Sequence, residues 1–138
     1  DVYKRQGKAI TFGLLGGKPY LGLSGNPAAA YVGFEMLARP AIRKMRGFAE
    51  VARPVQQATL THGVKRRQHR RFFDRATVLR DPETGELLVT EAKTQNSALL
   101  GTMQRANCLL RIDEGPCELK AGDAVDVVRV DLPEGAVL

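Results

Sequence analysis

The sequence predicts an α/β tail of strand, loop and helix, followed by a small all-β domain that is either a barrel or a sandwich. Three observations predict this order. Residues 7–47 place short apolar runs before a stretch with helical spacing, and residues from Pro54 onward contain short strand candidates and no long helix. The 138 residues, of which 43% are hydrophobic, can bury a core. We therefore predict an α/β tail at 7–47, a linker at 48–53 and the all-β domain at 54–138.

The tail begins with two strand candidates, Ala9–Phe12 and Tyr20–Leu23. Between them lies Gly16-Gly17-Lys18-Pro19, a composition typical of a turn. We expect the two strands to be separated by this turn.

A helix is predicted after Ser24-Gly25-Asn26-Pro27. Asn26 suits the N-cap and Pro27 suits the first helical position, where a missing N–H costs nothing. Pro40 should kink this helix or split it in two, and Gly47 is a natural end. Five apolar residues fall on one helical face: Ala30, Phe34, Leu37, Ala41 and Met45.

The all-β domain is predicted from five short segments. The turn composition of Asp81-Pro82-Glu83-Thr84-Gly85 indicates a hairpin, and 120–123 indicates a second turn. The strand candidates are Thr59–Thr61, Phe72–Arg80, Glu86–Ala92, Cys108–Ile112 and Ala124–Val130. Short strands without long helices are typical of a small barrel or sandwich.

Composition limits the function classes. No apolar stretch approaches the roughly 20 residues needed to span a bilayer, and residues 1–6 lack the apolar region of a signal peptide. Two cysteines, Cys108 and Cys117, are too few for a disulfide framework or a four-ligand zinc site. We therefore expect a soluble, cytoplasmic protein without a membrane partner.

The positive charge is concentrated in one part of the chain. Residues 39–75 contain eleven Lys and Arg against Glu50 and Asp74, a local net charge of +9 within a chain whose total is +6. Such a field attracts phosphates, oxyanions, nucleic acid or acidic surfaces. All eight Phe and Tyr lie at or before Phe73, so the C-terminal 65 residues have no ring to stack on a base. A basic module that binds nucleic acid or an acidic partner is thus the weaker alternative.

Several residue groups could bind an anion, each with a simpler alternative. The loop at 24–27 could offer N–H groups to an oxyanion, although a capped helix start without ligand is the more common case. Lys8 is of interest only if the fold brings it beside this loop, and one arginine of the run 65–71 could contact an oxyanion. The polar segment 94–97 could donate hydrogen bonds or form a plain turn. Metal ligation by His62 and His69 is not expected.

Four segments, in order along the chain, resemble one family: the molybdopterin molybdenumtransferases, or molybdenum insertases, which include the E domain of gephyrin. Residues 22–30 are similar to the family's Gly-Leu-Pro-Gly-Asn-Pro-Val-Ser loop, and the helix after them has the family's Phe, Pro and terminal Gly. Residues 70–75 resemble the segment Gly-Arg-x-x-Phe-x-Arg. Residues 95–109 resemble Gln-Gly-Ser-x-x-Leu followed by Ala-Asn-Gly-Leu, and residues 122–127 resemble a closing Gly-Asp/Glu-x-Val-x-Val strand.

The resemblance implies a C-terminal fragment of a longer enzyme. It would comprise the end of an α/β molybdopterin-binding-like domain and a whole C-terminal β-barrel domain. The family is homodimeric and takes part in molybdenum cofactor biosynthesis. It inserts molybdate into adenylylated molybdopterin and releases AMP in a magnesium-dependent step.

The resemblance also implies the site residues. Lys8, Arg70 and Ser97 match positions that line a molybdate pocket between the last two domains of the family. Residues 25–27, which are Gly25, Asn26 and Pro27, match the loop at its edge. A lysine, an arginine and a hydroxyl are suitable donors to a tetrahedral dianion. No catalytic residue is assigned, and the magnesium ligands are expected upstream, so the fragment alone should be inactive.

The chain departs from the family pattern at several positions. Ser24 and Ala29 replace the usual Pro and Ser of the loop, Asn96 replaces a Gly, and His69 stands where a Gly precedes the barrel arginine. Residues 1–6 match nothing in the family, and we expect them to be a cloning or assembly scar.

Overall fold

The computed structural model describes residues 10–68, 71–93, 95, 100–133 and 136. Contacts divide the chain into two compact units, Asp1–Arg53 with Ser97–Leu100 and Pro54–Asn96 with Gly101–Leu138. Among the described residues, no helix has both the length and the apolar character that crossing a membrane requires.

The first unit begins with a hairpin. Strands β1 (Thr11–Leu15) and β2 (Lys18–Gly22) pair antiparallel, and Leu15 lies opposite Lys18. The turn consists of Gly16 and Gly17 alone, whose φ values of 56° and 75° suit glycine and the two-residue turns of hairpins. Our prediction of a four-residue turn was therefore wrong, since residues 18 and 19 belong to β2.

The helix after the hairpin changes its bonding pattern in the middle. Helix α1 (Pro27–Gly33) leads into a π-helical segment, Phe34–Ala38, and then into α2 (Arg39–Met45). The N–H of Arg39 donates to the carbonyl of Phe34, five residues back. Pro40 has no N–H and its ring crowds the preceding turn, which gives a physical reason for the wider turn before it. The helix is thus interrupted next to Pro40, where the sequence predicts a kink or a split.

The predicted apolar stripe is not the buried side of this unit. Phe34, Leu37 and Met45 are 41%, 47% and 69% exposed. Glu35 is buried instead, and its carboxylate accepts two hydrogen bonds from Arg53, at 2.8 Å from Nε and 3.2 Å from Nη2. Residues 48–53, predicted as a linker, therefore include a partner of the helix. The domain boundaries stay a prediction.

The second unit is a small closed barrel, as the sequence predicts. Its strands follow the order β3-β6-β5-β7-β9, and all neighbours are antiparallel except β3 and β6. These strands are β3 (Val55–Leu60), β5 (Phe72–Arg80), β6 (Leu87–Glu91), β7 (Cys108–Ile112) and β9 (Ala124–Arg129). The predicted bounds of β5 and β7 are confirmed.

The barrel interior is filled with side chains. Its fully buried members include Leu60, Leu110, Ile112, Val89, Val127 and Cys108, whereas Leu109 is buried on the other face of β7. Eleven buried residues form one apolar cluster, so the inside of the barrel is a packed core.

Three elements are not predicted from the sequence. Strands β4 (Val64–Gln68) and β8 (Gly115–Leu119) pair antiparallel in a sheet of their own, the β4–β8 ribbon, and α3 (Leu100–Arg105) is a short helix. Strand β4 lacks the apolar alternation of a strand because four polar residues follow Val64. Strand β8 begins with Gly115 and Pro116, which are turn signals.

Candidate functional site

The structure describes only part of the predicted molybdate site. Lys8, Arg70 and Ser97 lie outside the described residues, as do the departures His69 and Asn96. Their convergence on one anion therefore stays a prediction. Gly25, Asn26 and Pro27 are described and can be examined.

The loop before α1 satisfies its own hydrogen bonds. Asn26 Oδ1 accepts from the N–H groups of Ala28 and Ala29, at 3.2 and 3.3 Å, and the N–H of Ala30 donates to the Asn26 carbonyl. The N–H of Asn26 donates to Ser24 Oγ at 3.2 Å. The N–H groups of residues 26 and 28–30 thus have internal partners, which is the geometry of a capped helix start. Space remains open at Gly25, where an added Cβ would meet no atom within 4 Å.

A cluster of three charged side chains in the second unit lies beside an open cleft of about 660 Å³. Arg66 reaches from β4 to two carboxylates: its Nη2 lies 3.2 Å from Asp74 Oδ2 on β5 and also contacts Glu91 Oε1 on β6. The Asp74 and Glu91 side chains are only 10% and 11% exposed. The residues that line the cleft are His62, Arg66, Thr90, Glu91, Ala92, Lys93 and Gln95.

Asp74 and Glu91, the carboxyl pair, lie together against Arg66, and these surroundings shift the pKa of Glu91. Burial raises the pKa of Glu91 above its ordinary value, and the positive charge of Arg66 opposes this rise. The negative charge of Asp74 and the hydrogen bond between the two carboxyls raise the pKa of Glu91 further. Two carboxyls beside one guanidinium leave an excess negative charge when both are ionised. Retention of a proton by Glu91 relieves that excess.

His62 has a hydrogen-bond partner at each of its two ring nitrogens. Its Nε2 accepts from the N–H of Glu91 at 2.9 Å, and its Nδ1 lies 3.1 Å from the carbonyl of Gly63. A carbonyl oxygen can only accept, so in this arrangement Nδ1 is the donor and Nε2 the acceptor. Both nitrogens are therefore occupied, which leaves none for a metal ion.

The described part of the chain brings no three His, Cys, Asp or Glu side chains together in a way that could hold a metal ion. Magnesium prefers several oxygen ligands in near-octahedral geometry. The residues described here do not fit such a centre, and no step is assigned to magnesium on them.

Two side-chain amides have a role that sequence reasoning missed. Gln95 Oε1 accepts from the N–H of Arg75 at 3.0 Å, and its Nε2 donates to the carbonyl of Arg75 at 2.9 Å. Asn107 does the same at Val78, with distances of 2.7 and 2.8 Å. We call these two residues the amide clamps.

The clamps complete the hydrogen bonding of β5. This strand pairs with β7 through residues 72–76 and with β6 through residues 76–80, so each half lacks one neighbour. Gln95 therefore completes the first half and Asn107 the second. The sequence places Gln95 in a polar segment that could donate to an anion, but its amide is already bonded to the backbone.

Comparison with known proteins connects these features to one family. Residues 57–130 match a family model described as the MoeA C-terminal region (domain IV). The chain is similar to a molybdopterin molybdenumtransferase of Staphylococcus aureus (strain COL), with 32% identity over 128 residues, which are 92% of this chain and 30% of that protein. It is also similar to molybdopterin molybdenumtransferase 1 of Mycobacterium tuberculosis (strain CDC 1551 / Oshkosh), with 34% identity over 131 residues, 91% of this chain and 31% of that protein.

Solved structures agree in fold. The molybdopterin biosynthesis MoeA protein from Pyrococcus horikosii superposes with a TM-score of 0.68 at 24% identity, over 91% of this chain and 29% of that chain. A molybdenum cofactor biosynthesis protein from Pyrococcus furiosus gives 0.68 at 23%, over 91% of this chain and 42% of that chain. The chain thus spans about a third of the length of the curated relatives that it matches.

Proposed function

Because the chain belongs to the family of the MoeA C-terminal region (domain IV), we propose that it is the C-terminal part of a molybdenum insertase. This enzyme of molybdenum cofactor biosynthesis would insert molybdate into adenylylated molybdopterin and release AMP. The observation that carries the proposal is the similarity to two molybdopterin molybdenumtransferases over nine-tenths of the chain.

Within this function, the chain would supply groups that bind the substrate oxyanion. Lys8 and Arg70 would donate charge-assisted hydrogen bonds to molybdate, Ser97 would donate from its hydroxyl, and residues 25–27 would form the edge of the pocket. The local net charge of +9 at residues 39–75 supports an anionic substrate. The open space at Gly25 is compatible with a ligand beside the loop.

The remaining parts of the function would depend on other residues. Magnesium would be held by ligands outside those described here, and the enzyme would act as a cytoplasmic homodimer. The nucleic-acid alternative is not favoured, because the relatives are transferases and because Arg66, in the middle of the basic run, forms ion pairs with Asp74 and Glu91.

The test compares two neighbouring arginines in the full-length enzyme that contains this chain. Arg70→Ala should weaken molybdate binding about 10- to 100-fold, the equivalent of the roughly 1.5–3 kcal/mol of a hydrogen bond to a charged group. Arg71→Ala is the matched control, because it removes the same charge from a side chain that is 56% exposed and bonds Asp113. Equilibrium dialysis with radiolabelled molybdate measures both. Equal binding by the two variants would remove Arg70 from the site.

A further inference from the structure

The β4–β8 ribbon is attached to the barrel by side chains. Among the described residues, β4 and β8 hydrogen-bond as strands to each other and to no strand of the barrel. On the side that faces the barrel, Val64 belongs to the buried core cluster, and Cys117 and Leu119 pack against it. The polar attachment is Arg66, which lies opposite Cys117 in the ribbon and reaches Asp74 and Glu91 on two barrel strands.

The net charge of Arg66 and the two carboxyls depends on whether one carboxyl holds a proton. With both carboxyls ionised, the cluster of Arg66, Asp74 and Glu91 has a net charge of −1 in a place where both carboxyls are about nine-tenths buried. With one proton on the pair, the cluster is neutral, and the protonated carboxyl can donate to its neighbour while Arg66 donates to both. The other titratable or charged groups that face it are His62, which is bonded to the N–H of Glu91, and Lys93 at the cleft.

We propose that Glu91 keeps a proton while the ribbon is closed and forms, with Asp74 and Arg66, a proton-sensitive latch that holds the β4–β8 ribbon on the barrel. The latch is a property of this barrel unit and does not depend on the proposed molybdate site. When the ribbon lifts, water reaches the carboxyl pair and the proton is released.

The direction of the pH effect follows from the pKa of Glu91, which is raised in the closed ribbon chiefly by burial. Lifting hydrates the pair and returns the pKa of Glu91 towards its ordinary value. The closed ribbon is therefore fully stabilised below the ordinary pKa, and this stabilisation is lost as the pH rises through the raised one. Because one proton is involved, the opening constant rises by at most about tenfold per pH unit and then levels off.

The two cysteines provide a probe and its internal control. Cys117 belongs to β8 of the ribbon and is half-buried against the core cluster, so an increase in its labelling rate by 4,4′-dithiodipyridine reports lifting of the ribbon. Cys108 is fully buried in the barrel, where burial raises its thiol pKa to about 12, so its labelling reports unfolding of the whole unit. The measurement is made on the full chain from about pH 4 to pH 8.

The informative variant is Glu91→Gln, because a side-chain amide can donate to Asp74 and accept from Arg66 as the protonated carboxyl does. At each pH, the Cys117 labelling rate of the wild type is divided by that of the variant, which cancels the thiolate fraction. We expect a ratio near one at low pH that rises several-fold to a plateau. A ratio that stays constant across the range would overturn the latch.

A second variant tests the role of the Arg66 guanidinium. Arg66→Met keeps much of the side-chain length but removes the ion pairs, so Cys117 should be labelled faster than in the wild type while Cys108 stays protected. Unchanged labelling of Cys117 would show that Arg66 does not hold the ribbon. If the variant unfolds, Cys108 is labelled as well, and the Glu91→Gln comparison decides.

Discussion

Asn107 is only half-buried, but its replacement by alanine should destabilise the barrel strongly. Its amide supplies both hydrogen bonds that Val78 makes on the β7 side of β5, at 2.7 and 2.8 Å, and Val78 is 3% exposed. A buried backbone group left without a partner costs about 1–3 kcal/mol. Loss of both bonds should therefore lower the free energy of unfolding by about 2–4 kcal/mol, a large part of the roughly 5–15 kcal/mol typical of a domain.

The assay is a urea titration in which labelling of the Cys108 thiol reports unfolding of the barrel. A Cys117→Ser background removes the second thiol. Since Cys108 is adjacent to Asn107 and is fully buried, its exposure follows the strand that the variant disturbs.

The matched variant Asn107→Asp separates the two hydrogen bonds. The introduced carboxylate can still accept from the Val78 N–H, but it faces the Val78 carbonyl without a proton to donate. Its pKa should therefore be raised in the folded state, so the variant should be stable at acid pH and lose stability as the pH rises through that value. A change below about 0.5 kcal/mol for Asn107→Ala, within the range of ordinary surface substitutions, would refute the clamp.

Three further predictions concern other parts of the chain. Glu35→Ala should lower the unfolding free energy of the first unit by about 3 kcal/mol in a urea titration, because it breaks a buried ion pair with Arg53. Gly85→Ala should cost about 1 kcal/mol because φ is +75°, whereas Gly101→Ala, in helix α3, should cost nothing. The N–H of Glu83 lowers the pKa of Asp81, so an NMR titration should show a midpoint below its ordinary value. The turn should weaken only as the pH falls through that midpoint, and an unshifted midpoint would contradict the bond.

The parts of the fold that could be predicted are those with local signals. Strand β5 is predicted by its aromatic and β-branched residues and by the turn signal Asp81-Pro82 that follows it. Strand β7 is predicted by the mostly apolar segment that begins at Cys108. Strand β4 could not be predicted because its pairing partner, β8, lies about fifty residues away and only Val64 of β4 is apolar. Its polar residues are stabilised by cross-strand contacts such as Lys65 with Glu118.

The ion pairs beside the cleft could not be predicted either, because their partners are also distant in the sequence. The sequence indicates that one arginine of the basic run could have a specific role, but it does not indicate that Arg66 would meet Asp74 and Glu91, which lie 8 and 25 residues along the chain. For Gln95, the polar segment around it correctly predicts that its side chain forms hydrogen bonds. The sequence does not show that the partner is the backbone of Arg75 in β5.

The solid interior of the barrel restricts how this unit can acquire new chemistry. A cylinder already occupied by leucine, isoleucine and valine has no room for a guest, so any molecule it recognises must be met from outside, by connections and side chains at its surface. Substitutions in the connections can thus change what the unit binds with little loss of stability, whereas substitutions in the strands are constrained by the packing of the core. For an engineer, the turn at 81–86 is accordingly the place to graft a new peptide.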